Sequence, residues 1–82
     1  MASCIYETFV VRVLEGNKLL GYASNSIHED LDIVKHNDDG RLYDRYDDAY
    51  KAALVMSKTY PEFTFDVDIV LLDSEDMYAF CD

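Results

Sequence analysis

From Ile5 to Leu14 the chain is rich in β-branched and aromatic residues, with Ile5, Phe9, Val11 and Val13 on one face. Glu15-Gly16-Asn17 is a turn signal, and Lys18 to Ser24 follows as a second extended run. Together these predict a β-hairpin with a short glycine-containing loop.

Residues 25–43 admit two readings. Ser26 with Glu29 three positions later fits a capping box, which would place Ile27, Leu31 and Val34 on one helical face. Alternatively, Leu31 to Lys35 and Arg41 to Tyr43 are short strands flanking the turn Asn37-Asp38-Asp39-Gly40. The Asp-Gly step between apolar pairs favours this hairpin.

The clearest helix spans Asp44 to Tyr60. Asp44 fits an N-cap, and Asp47 and Asp48 complement the positive end of the dipole. Tyr46, Ala49, Tyr50, Ala53, Met56 and Tyr60 form an apolar stripe at three- and four-residue steps, with Lys51 and Lys58 on the other side. Pro61 ends the run. Glu62 to Leu72 then alternates with period two: Phe63, Phe65, Val67, Ile69 and Leu71 face one way, and Thr64, Asp66 and Asp68 the other. Val70 and Leu72 break the polarity, so that end of the strand is expected to be covered. The tail, Asp73 to Asp82, carries Met77, Tyr78, Phe80 and Cys81, enough to dock back on the body.

The pattern predicts one α+β domain over residues 1–82: an antiparallel sheet of three or four strands with one long helix packed on a face. The last strand is expected to pair with a strand of the first hairpin.

Charge changes the picture. Seventeen acids against seven Lys and Arg give a net charge of −10. Residues 1–27 balance, residues 28–58 hold eight acids against five bases, and residues 59–82 hold seven acids with no Lys or Arg. Such a field acts on partners and association rates, not on fold. It repels nucleic-acid backbones and anionic bilayers, and the scattered bases form no positive patch. No apolar run approaches the ~20 residues a membrane span needs, and no secretory signal opens the chain, so a cytoplasmic location is expected. Cys4 and Cys81 read as free thiols.

Candidate chemistry is sparse. With Gly40 as the turn glycine of a calcium loop, ligand positions would fall on Lys35, Asn37, Asp39 and Tyr46, which does not fit the loop's ligand chemistry. His28 and His36 stand near carboxylates but lack ligand spacing, so neither a metal nor another cofactor is expected. There is no phosphate loop, nucleophile elbow, or Cys beside an activating His, and no pocket is evident, so the chain reads as a non-enzyme. Tyr43, Tyr46, Tyr50 and Tyr60 fit core positions, and Tyr is also a common interface anchor.

The segment Leu42-Tyr43-Asp44-Arg45-Tyr46-Asp47-Asp48-Ala49-Tyr50-Lys51-Ala52-Ala53, leading to Tyr60-Pro61, resembles in style the small acidic early proteins of large bacteriophages. That resemblance implies a host-takeover or anti-defence role, in some cases by imitating nucleic acid. The expected function is a carboxylate-rich binding surface for a basic protein partner, drawn from Asp44, Asp47, Asp48, Glu62, Asp66, Asp68, Asp73, Glu75 and Asp76. The alternative is a homodimeric structural or regulatory module that associates through the edge of the last strand.

Overall fold

A computed structural model describes residues 5–73. Four strands form one antiparallel sheet in the order β3-β2-β1-β4, where β1 is Ile5–Glu15, β2 Lys18–Ala23, β3 Ile33–Val34 and β4 Thr64–Asp73. A single α-helix, α1, runs from Tyr46 to Thr59 and packs on one face. This is the expected α+β arrangement, with β4 laid along the first strand of the hairpin from Ile5↔Asp73 to Leu14↔Thr64.

The alternation in β1 explains both faces of the sheet. Val11 and Val13 are fully buried and meet Ala52, Ala53 and Met56 of α1, with Phe65 and Val67 of β4 beside them. The small Ala49, Ala52 and Ala53 let the helix lie close to the sheet. On the opposite face Thr8, Val10 and Val70 are also buried. The Thr8 hydroxyl donates to the Val70 carbonyl at 2.8 Å, so its burial leaves no polar atom unpartnered. Val70 is therefore covered, as its place in the sequence suggested.

The hairpin closes through Gly16, whose φ of 63° is the left-handed conformation glycine adopts freely. One extra residue on β2 then bulges the ladder between Val13 and Leu14. At Gly21 an added Cβ would lie 2.2 Å from the Val34 carbonyl oxygen, so β3 can approach β2 this closely only over glycine.

Two local expectations need correction. The helix begins one residue later than an Asp44 N-cap requires: Arg45 is the cap residue, and its side chain makes no capping hydrogen bond. Asp47 and Asp48 instead offset the positive end electrostatically. Residues 31–43 do not fold as their own hairpin either. Val34 and Ile33 pair with Tyr22 and Ala23 of β2, Asn37–Asp39 is a short 3-10 turn, and Tyr43 bridges to Phe9 of β1. Gly40 has a φ of −73°, so the primed turn that an Asp-Gly step favours is not formed. Its value is space, because an added Cβ would stand 2.6 Å from Val10 Cγ2.

The capping-box pair does form, but without a helix. The Ser26 amide donates to Glu29 Oε1 at 3.0 Å and the His28 amide to Ser26 Oγ at 3.3 Å. Helix propagation stops because the segment is tied elsewhere. The Asp32 amide donates to Asn25 Oδ1 at 3.0 Å, and the Leu31 amide donates to the Tyr60 hydroxyl at 3.0 Å.

Candidate functional site: an open strand edge beside a tyrosine-lined cleft

The direction of β4's backbone groups follows from one residue of β1. Phe9 and Tyr43 exchange both backbone hydrogen bonds, at 2.9 and 2.7 Å, so the Phe9 amide and carbonyl point away from β4. In an antiparallel ladder the bonds to β4 then come from Thr8, Val10 and Arg12, opposite Val70, Asp68 and Asp66. The backbone groups of Phe65, Val67, Ile69 and Leu71 therefore face outward. β4 ends the strand order, so among the described residues these groups meet no further strand. One of them has a local partner: the Ile69 amide donates to Asp68 Oδ1 at 2.9 Å.

Side chains along this edge divide by face. Phe65 and Val67 lie under α1, but the helix begins level with Phe9, where the Tyr46 ring stands edge-on at 5.8 Å. Beyond that point nothing from α1 covers the strand. Ile69 is 53% exposed and Leu71 60%, although both continue the apolar face of Phe63, Phe65 and Val67. Tyr46 and Tyr50, expected to be largely buried, are 51% and 48% exposed and stack with centroids 6.0 Å apart. They open a cleft of about 130 Å³ with Leu54, Phe65 and Val67. Of these four tyrosines, Tyr43 and Tyr60 are half-buried, Tyr43 against the core and Tyr60 with its hydroxyl accepting from the Leu31 amide.

The other face of β4 carries the acids. Asp66 is held by Arg12, whose Nε and second guanidinium nitrogen each donate to one carboxylate oxygen at 2.7 Å. This fork raises the Arg12 pKa above its ordinary value, chiefly through the hydrogen bonds to Asp66. Asp68 is the next acid on that face.

Of the nine carboxylates expected to contribute to a binding surface, the described ones lie in separate places. Asp44, Asp47 and Asp48 are exposed around the start of α1, and Glu62 is exposed beyond its other end. Asp66 and Asp68 lie on the sheet face away from the helix. Asp73 ends β4, and Glu75 and Asp76 lie outside the described residues, as do Cys4, Cys81 and the expected tail contacts. Among the described residues no three His, Cys, Asp or Glu side chains gather as a metal site. No helix among them is long and apolar enough to cross a membrane.

A second cleft, of about 350 Å³, lies on the other flank of α1, where no pocket was expected. Ser26, His28 and Asp48 all line it, a catalytic triad by composition only. Ser26 Oγ accepts from the His28 backbone amide, and no hydrogen bond among the described residues joins the three side chains. Comparison of the chain with protein-family models, curated proteins and solved structures finds no match.

Proposed function

We propose that this chain is a non-enzymatic binding protein that receives an extended basic segment of a partner protein along the open edge of β4. The observation that carries this reading is the coincidence of outward-facing backbone groups with exposed Ile69 and Leu71 on the same strand. An added strand would take main-chain bonds from that edge and find selectivity in its alternating side chains. On the helix face it would meet Ile69, Leu71 and the cleft beside Tyr46, Tyr50 and Leu54. On the other face it would meet Asp66 and Asp68. The complementary segment therefore alternates apolar residues with Lys or Arg. Asp44 and Asp47 add to the field that draws it in.

Asp68 acts as a guard in this arrangement. Its carboxylate occupies the Ile69 amide, which blunts the edge against indiscriminate pairing. A partner's Lys or Arg would draw the carboxylate away and free the amide. A second copy of this chain fits less well, because antiparallel self-pairing of β4 would bring the acidic faces of two strands together. A host nucleic-acid-binding or defence protein, as the phage-like style of residues 42–53 implies, is one source of such a basic segment.

The test uses a synthetic ten-residue peptide of alternating Lys and Val, with a Glu and Val peptide as control. The Lys peptide should bind, weaken as salt rises, and slow amide hydrogen exchange at Val67, Ile69 and Leu71. Ile69→Lys should abolish binding, and Asp68→Ala should lower its salt dependence. Equal binding of both peptides, or protection located elsewhere, would defeat the proposal. Concentration-dependent mass without peptide, with the same amides protected, would favour the homodimer instead.

A further inference from the structure

The larger cleft reverses the charge logic of the rest of the molecule. Arg41 reaches it from the segment leading into Tyr43, Lys51 from α1, and His28 from the turn after β2. Two of only seven Lys and Arg residues in a chain of charge −10 thus converge on one concavity. Among the described residues the one ion pair is Arg12–Asp66, so no described carboxylate stands within 4.0 Å of Arg41 or Lys51. Arg41 is also held in place. Its guanidinium carbon lies 5.7 Å from the Tyr43 ring centroid, a cation–π arrangement.

The floor and walls between these cations are apolar: buried Ala52, half-buried Tyr43, and the partly exposed Ile27 and Val55. The volume of about 350 Å³ falls within the range of small-molecule sites, which pair an apolar lining with a few converging polar groups. We infer that this cleft binds a small organic anion, a carboxylate or phosphate monoester on a flat apolar body. Arg41 and Lys51 would hold the headgroup, and Tyr43, Ala52 and Val55 the body. Asp48 also lines the cleft and opposes an anion, so it would restrict binding to ligands that reach both cations. The site lies across α1 from the β4 edge and stands independently of the partner proposed there.

Phenyl phosphate serves as the probe, followed by backbone amide chemical shifts, with inorganic phosphate and benzyl alcohol as its two halves. Saturable shifts are expected at Ile27, Arg41, Lys51 and Val55, with a Kd below ~10 mM. Each half alone should bind at least about fivefold more weakly, as should Arg41→Gln and Lys51→Gln, given the worth of a single charge-assisted contact. Asp48→Asn should tighten binding, a gain that loss of structure cannot imitate. Failure to saturate by ~10 mM would overturn the inference. So would unchanged affinity in both cation variants, equal binding by either half, or shifts confined to other cations such as Arg12.

Discussion

Arg12 and Asp66 sit directly opposite each other on β1 and β4 and are joined by two parallel hydrogen bonds of 2.7 Å. The fork fixes register, because a slip of one residue would carry either side chain to the opposite face. Its energy is modest, since both side chains are more than a third exposed. A double-mutant cycle of Arg12→Ala and Asp66→Ala should give a coupling of about 0.5–1 kcal/mol that shrinks with salt. Arg12→Lys should recover only part of it, because an ammonium cannot reproduce the planar fork. The Arg12 pKa is raised, so its contribution is complete below the ordinary guanidinium value and is lost only as pH rises through the higher folded one. Stability at neutral pH should therefore not titrate through this arginine.

Small residues set the spacing between layers, and their replacement should separate steric cost from backbone cost. Gly21→Ala places a methyl 2.2 Å from the Val34 carbonyl oxygen and should destabilise by about 3 kcal/mol or more. Gly16→Ala meets nothing within 4 Å and should cost only about 1 kcal/mol for its left-handed φ. Ala53→Asp would bury an unpaired carboxylate between α1 and the sheet and should cost ~3 kcal/mol or more. Chemical denaturation of the three variants checks the order. A Gly21→Ala protein as stable as Gly16→Ala would show that β3 does not pack this closely.

Glu29 should titrate below the usual glutamate range. Its carboxylate accepts from the Ser26 backbone amide first, and also from the Ser26 side chain, and both favour the charged form. The folded pKa is depressed, so this local contribution is present above the ordinary value and lost as pH falls through the folded one. The Ser26 amide resonance should follow the same low midpoint in an NMR titration. Ser26→Ala should keep most of the depression and Glu29→Gln should abolish the titration. An ordinary Glu29 midpoint would mean the turn does not form.

Salt should stabilise the fold. A charge of −10 with one ion pair among the described residues leaves repulsion as the larger electrostatic contribution. Raising NaCl from low to moderate concentration shortens the screening length toward ~8 Å at 0.15 M, and Tm should rise by a few degrees. A fall in Tm would mean that attractive pairs outweigh repulsion.

The regular elements were legible because period governs burial. Alternation marked β1 and β4, and steps of three and four residues marked the helix. What escaped depended on partners distant in sequence. Asn25 and Tyr60 decide the path of residues 25–32 through single hydrogen bonds that no periodicity encodes. Ile69 and Leu71 keep the strand pattern of a core face, yet the helix starts too late to cover them. The Arg12–Asp66 pair had one faint signal, a lone cation in an apolar strand, but its partner is 54 residues away.

That separation also governs how the molecule assembles. β1 is an interior strand, yet one of its two sides is completed only by β4, across 54 residues at Arg12 and 62 at Thr8. A chain emerging from the ribosome could form the hairpin and the helix early, while Val10, Val11 and Val13 wait for the last strand. Long loop closure of this kind slows the rate-limiting step. Folding should therefore be slower than for a helical protein of similar size, and substitutions in β1 or β4 that raise the barrier would lengthen the time its valines are open to chaperones and to neighbouring chains.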